Sequence, residues 1–114
     1  MAVAYDEGLA ERIRLLLAGE PAIVEKKMFG GLAFLAAGNM AVAASGQGGL
    51  LVRVDPAESA ALVESTPATV MEMRGRAMAG WLRVPPATVD GEGELETWVR
   101  RGISYARTLP ARAS

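Results

Sequence analysis

Five basic residues of this chain, Lys27, Arg53, Arg74, Arg76 and Arg83, stand where a folded chain could gather them around an anion. Guanidinium forks grip carboxylate and phosphate through paired N–H donors, and a lysine adds a point charge. Arg74 and Arg76 flank Gly75, and Gly75 and Gly80 allow tight turning close to Arg83. Lys27 and Arg53 fall on segments that read as nearby strands. Glu72 is the obvious local acid, so mutual repulsion within such a cluster calls for a counter-charge, which a bound anion would supply. The plainer reading has the same residues at exposed strand positions, several paired with Glu25, Glu72 or Asp55, where a surface ion pair contributes little.

Other groupings carry weaker chemical signals. Gly30-Gly31 offers backbone N–H groups of the kind that cradle a phosphate, but the spaced Gly-Lys-Ser/Thr ending of a phosphate loop is absent. A bulge or tight corner between strands explains the pair more simply. Trp81 and Trp98 have faces on which a base or ring ligand would stack. Both stand among apolar neighbours at core spacing, which predicts that both are buried; Phe29 and Phe34 read the same way. Met28, Met40, Met71, Met73 and Met78 suit either an adaptable binding groove or the filling of an Ala-rich core, the second being the simpler expectation. Asp90, Glu92, Glu94 and Glu96 lack the spacing of a calcium loop. They fit a solvated approach to a helix N-terminus, where the dipole favours acids, so no metal site is expected.

The absences are as informative. The sequence contains no His and no Cys, which removes the usual acid–base group near neutral pH, thiolate nucleophiles, disulfides and thiolate zinc sites. No Ser stands in a nucleophile elbow. No catalytic residue is assigned, an enzyme is not expected, and no cofactor is implied. The net charge of −1 gives no global attraction to nucleic acid or an anionic membrane. No basic recognition helix appears, so direct sequence-specific DNA binding is not expected. No apolar run approaches the roughly 20 residues of a spanning helix and no signal peptide is visible; a cytoplasmic protein with no membrane association is the expectation. Charge is uneven nonetheless. Residues 26–83 carry Lys26, Lys27, Arg53, Arg74, Arg76 and Arg83 against Asp55, Glu58, Glu64 and Glu72, and lie between acid-rich segments.

The elements that would position these residues follow from periodicity. At 114 residues one domain is expected, spanning 1–114. Residues 6–18 read as a helix with Leu9, Ile13, Leu16 and Leu17 on one stripe, Asp6 as cap and Gly19 as stop. Four strands follow: Val24–Phe29, Leu32–Ala36, Met40–Ala44 and Leu50–Val54, separated by Gly30-Gly31, by Ala37-Gly38-Asn39 and by the Gly-rich run from Ser45. Asp55-Pro56-Ala57-Glu58 starts a second helix that runs to Glu64. Val70–Met73 and Trp81–Val84 are the fifth and sixth strands, joined by an irregular turn over Arg74–Gly80. Pro85-Pro86 ends the last strand, residues 87–93 form a loop, and Glu94–Leu109 is the final helix, followed by a fraying tail. Gly102 on its apolar stripe predicts a close approach to another element. The short connections imply antiparallel neighbours. The fold class is therefore α+β: an antiparallel sheet of about six strands flanked by three helices.

The motifs Lys27-Met28-Phe29-Gly30-Gly31, Gly38-Asn39-Met40, Leu50–Asp55 and Gly80-Trp81-Leu82-Arg83-Val84, in that order and spacing, resemble the TfoX N-terminal domain family, named from a regulator of competence in bacteria. The resemblance spans about residues 5–108. It implies a small α+β domain with an antiparallel sheet flanked by helices, and carries over no catalytic residue. Its family-motif positions are Met28, Phe29, Gly30, Gly31, Gly38, Asn39, Gly80 and Trp81. The named competence regulators look like two-domain proteins, and this chain resembles a stand-alone first domain. The function implied is a non-enzymatic regulatory or protein-interaction module. Its partner is expected to be another protein, with a transcription complex as the candidate. Oligomeric state is open, a dimer included. The alternative is a small-molecule or anion-binding domain that uses the arginine cluster.

Overall fold

The first helix, α1 (Glu7–Leu16), begins where an oxygen is available to cap it. Asp6 accepts a hydrogen bond from the Leu9 backbone N–H at 3.1 Å, satisfying one of the donors that a helix start leaves unpaired. In this computed structural model, which describes residues 5–28 and 30–112, α1 buries Leu9 and Ile13, with Leu17 just beyond its end. Phe29, one of the family-motif positions, lies outside the described residues.

Six strands follow the expected order: β1 (Ile23–Met28), β2 (Gly31–Ala36), β3 (Asn39–Ala44), β4 (Leu50–Arg53), β5 (Thr69–Met73) and β6 (Arg76–Val84). All neighbours are antiparallel, in the spatial order β1-β2-β3-β4-β6-β5. Between β2 and β3, Ala37 and Gly38 have φ of 50° and 83°, the two positive values a type I′ hairpin turn requires. Asp55 accepts from the Ala57 N–H at 2.9 Å and opens a single 3₁₀ turn over Pro56–Glu58, after which α2 runs over Ser59–Ser65. The last helix is α3 (Glu92–Ala106).

Four expectations are corrected. Arg74–Gly80 is not an irregular turn: only Arg74 and Gly75 turn, with φ of 54° and 77°, and Met73 pairs directly with Arg76. β6 therefore starts five residues earlier than its apolar end suggests, because Arg76, Ala77 and Ala79 carry little strand signature. Residues 87–93 are not all loop, since Pro86–Val89 form a 3₁₀ turn. α3 begins at Glu92 and ends at Ala106. The tail does not fray before residue 112: Asn39 Nδ2 donates to the Pro110 carbonyl at 2.9 Å, and the Arg112 N–H donates to Ala37 O at 2.9 Å. The Gly38-Asn39 motif thus has a structural task. Asn39, 2% exposed, anchors the C-terminal segment, and Gly38 leaves room for it where a Cβ would meet the Arg112 backbone.

The helices cover one sheet face only. Leu9 and Ile13 of α1 and Leu95, Trp98, Val99 and Ile103 of α3 pack on strand residues that include Phe34, Val42, Val52 and Leu82. At Gly102 an added Cβ would stand 2.5 Å from the Ala41 carbonyl oxygen and 2.7 Å from Val42 Cγ1, which is the close approach expected from its place on the stripe. Arginines clamp the helices to one another and to β1. Arg12 binds Glu92 at 2.7 Å and the carbonyls of Val89 and Asp90 at 2.8 and 3.0 Å. Arg107 and Arg100 reach Glu20 at 3.0 and 3.3 Å. Arg14 grips Glu25 of β1 with two N–H groups, at 2.6 and 2.8 Å.

Two tests follow from this packing. Gly102→Ala is expected to destabilise the domain by about 1–3 kcal/mol. Gly93→Ala, on the same helix with nothing within 4 Å of an added Cβ, is expected to be neutral or to stabilise by up to about 1 kcal/mol. Urea unfolding checks both. The second test concerns Glu25. The hydrogen bond from Arg14 holds the Glu25 carboxyl below the usual glutamate range. A depressed carboxyl stabilises the fold above its unfolded pKa, and that contribution is lost as pH falls through the folded value. Glu25→Gln is therefore expected to lower the melting temperature at pH 7, with the difference from the parent vanishing once the carboxylate is protonated in both states.

Candidate functional site

The opposite sheet face has a chemistry of its own. Ala33, Leu35, Met40, Ala43, Leu51 and Met71 form a second apolar cluster, against which Met28, Met73 and Trp81 pack, and every one of these residues comes from a strand. Met78 joins Leu51, Met71, Met73 and Trp81 around an apolar cleft of about 160 Å³. A smaller depression of about 30 Å³ lies beside it, with Leu51 and Met71 in both walls and Met28, Met40 and Arg83 in its own lining. All five methionines after Met1 thus stand on this one face. Met40 and Met71 are each 6% exposed, while Met28, Met73, Met78 and Trp81 are partly exposed and form its accessible surface.

A local irregularity in β6 makes the cleft. Strand residues two apart normally share a face, so Met78 and Trp81, three apart, should lie on opposite sides. The register between β5 and β6 shifts between Val70 and Glu72, and Gly80 has φ of 88°. Its N–H donates to Ser59 Oγ at 2.6 Å and its carbonyl accepts from the Val54 N–H at 2.8 Å. The irregularity takes up three more residues on β6 than on β5, an odd number, and so returns Met78 and Trp81 to the same side. The family-motif pair Gly80-Trp81 is thus a bulge glycine and a cleft wall. Trp81 is corrected from core to partly buried, whereas Trp98, 2% exposed, is core as expected. Gly30, with φ of 76°, turns the chain between β1 and β2, and Gly31 opens β2, the tight corner the plainer reading anticipated.

The five sequence-selected basic residues do not converge. Lys27 pairs with Leu32, whose side chain belongs to the helix-covered core, so it stands on the other side of the sheet. Arg74 sits in the β5–β6 turn. Arg53 and Arg83 are on adjacent strands of the uncovered face, where Arg53 pairs with Trp81 and Arg83 with Leu51. Arg76, opposite Met73, is on that face too, as is Lys26, opposite Ala33. The Arg53 guanidinium lies 4.9 Å from the Trp81 ring centroid and 6.0 Å from that of Tyr105, a cation–π arrangement. Arg83 Nη1 donates to Ser45 Oγ at 3.2 Å. The expected pairings with Glu25, Glu72 or Asp55 are absent; Glu25 is engaged by Arg14. What distinguishes the face is the company the cations keep: four bases around an apolar trough, with no acid at its strand positions.

A larger open cleft, about 440 Å³, lies against α3 and is lined by groups that include Asp55, Glu58, Arg100, Arg101 and Tyr105. Its charges are of both signs, Arg100 is held by Glu20 and Glu96, and Arg101 stacks 4.7 Å from the Trp98 ring centroid. It therefore presents no converged donor set. Among the described residues no cluster of acidic side chains could hold a metal ion, and no buried side-chain nitrogen or oxygen lacks a hydrogen-bond partner. Among them, too, no helix is long and apolar enough to cross a membrane.

An antiparallel sheet covered by helices on one face, with a methionine-rich trough on the other, defines an α+β domain. The model of the TfoX N-terminal domain matches residues 15–106, most of the chain, and the chain belongs to that family. A search of curated proteins finds no match to this sequence. The five methionines read from sequence as a binding groove or as core filling, and the structure gathers them on the one uncovered face, with Met40 and Met71 buried and Met28, Met73 and Met78 partly exposed. The two indoles provide a test of the two faces. Trp98→Ala is expected to cost about 3–5 kcal/mol and Trp81→Ala clearly less. Acrylamide should quench Trp81 emission and leave that of Trp98 largely protected.

Proposed function

We propose that this chain is a non-enzymatic interaction module of regulatory type, and that the uncovered sheet face receives a segment of a partner protein. Membership of the TfoX N-terminal domain family supports the regulatory class. The observation that carries the docking reading is the collection of all five internal methionines on the one face no helix covers. Thioether side chains are flexible and polarisable, and they adapt their packing to an incoming surface. The lack of His and Cys removes the commonest catalytic groups and favours binding over chemistry. The partner proposed is a protein of the transcription apparatus, met in the cytoplasm, and no direct reading of DNA is involved. The anion-binding alternative loses its five-residue cluster, because the sheet itself separates Lys27 from Arg83.

A photo-crosslinking amino acid tests the reading in living cells of the source organism. Placed at Met78, in the cleft wall, it is expected to give a discrete protein adduct that mass spectrometry identifies as a regulatory or transcription component. Placed at Glu96, exposed on α3, it should not give that adduct. Equal adducts from both positions, or none from Met78, would refute the assignment of the face.

A further inference from the structure

The electrostatics of the trough go beyond its apolarity and name the chemistry of its occupant. Every ion pair among the described residues lies on the helical side: Arg12, Arg14, Arg100 and Arg107 each meet a glutamate there. On the uncovered face Lys26, Arg53, Arg76 and Arg83 meet none. Their strand pairings are with Ala33, Trp81, Met73 and Leu51, so Arg53, Arg76 and Arg83 stand on the strands that form the cleft and Lys26 on the far edge strand of the same face. A second copy of this chain docked face to face about a two-fold axis would set these bases against their own kind, because such an interface is self-complementary. Like charges in apposition suppress a partner, and opposite charges select one.

We propose that the trough binds an acidic amphipathic segment of a partner protein: one or two apolar side chains enter the cleft between Met71, Met73, Met78 and Trp81, and flanking Asp or Glu side chains meet Arg53, Arg76 and Arg83. The cleft of about 160 Å³ is the size of one or two such side chains at a time, and burying apolar groups of this kind is the usual anchor of a peptide. The Arg53–Trp81 stack holds one guanidinium at the rim, and Arg83 is steadied by Ser45, so both are partly preorganised for a carboxylate. This inference rests on the interaction-module reading and adds the partner's chemistry to it.

The test works without the partner being identified first. A phage library of random dodecapeptides is panned on the intact domain, with an unrelated protein as blank, and the selected consensus is synthesised and titrated against protein carrying ¹³C-methyl methionine. Enriched peptides are expected to combine Leu, Ile, Phe or Met with Asp or Glu and to shift the methyl signals of Met71, Met73 and Met78. The Arg53→Glu, Arg76→Glu double variant is expected to weaken binding about tenfold, two rim charges at the upper end for exposed pairs, and raised salt should weaken the parent complex in the same sense. If that variant fails to fold, reversing the acids of the peptide to lysine makes the same test on the parent protein. Selected peptides that reach the methionines but carry no acid, or bind the charge variant equally well, overturn the acidic-segment proposal and leave the interaction module standing. Peptides that map to the helical side, or no enrichment over the blank, overturn both. Methionine signals that shift with protein concentration alone, together with a dimer in sedimentation, would assign the face to a second copy and also overturn it.

Discussion

Everything on the uncovered face depends on how closely α3 seats on the other one. Gly102 lets the helix backbone approach the carbonyl of Ala41, and Trp98 and Ile103 fill the space on either side. A side chain at 102 would lift the helix off β3. Because the dry contact is concentrated on this side, the sheet needs no second helical layer. Interiors are close-packed, so displacement at one contact is felt by its neighbours. The position of α3 therefore bears on the central strands, and with them on the shape of the trough behind.

Charge is divided by the same plane. Arg12, Arg14 and Arg107 neutralise glutamates from other elements and tie the helical layer together and to β1, whereas on the uncovered face Arg53 stacks on Trp81 and Arg83 bonds to the Ser45 hydroxyl. An isolated exposed pair contributes little, but Arg12 also satisfies the carbonyls of Val89 and Asp90, so its pairing closes the 3₁₀ turn that leads into α3. One side uses its charges on the fold; the other holds them in reserve.

Much of this is legible in the residues. The stripe of α1, the succession of strands along the chain, the cap at Asp55, the close approach at Gly102 and the burial of Trp98 all follow from spacing and turn chemistry. What is not legible lies mostly in one segment. The register shift within β6 is accompanied by long-range contacts, Ser59 holding the Gly80 N–H and Val54 bonded to its carbonyl, and the turn at Arg74-Gly75 falls inside a segment with little strand signature. A local window sees only a weak strand former at Arg76 and an Arg where Asn is usual in a type I′ turn. With β6 truncated, Met78 falls in a turn and its place on the face beside Trp81 is not legible. The five-cation group rests on strands expected to be neighbours, and the alternation of β1 is enough to take Lys27 out of it.

The choice of methionine over leucine on this face answers a physical conflict. On the proposed docking reading, such a surface must not expose enough apolar area to aggregate, yet it must open when a partner arrives. Here Leu51 and Met71 are only 4% and 6% exposed, because the flexible side chains of Met28 and Met73, with the Trp81 ring, pack against them. Branched side chains hold fewer rotamers and would leave either a permanent hole or a permanent seal. Unbranched thioethers move aside at small cost, and the edge strand β1, lined by Glu25, Lys26 and Lys27, carries the charge that discourages edge-to-edge pairing. The face thus keeps Leu51 and Met71 dry while its outer side chains stay partly exposed, which on the proposed reading suits a ligand that brings both apolar anchors and negative charge.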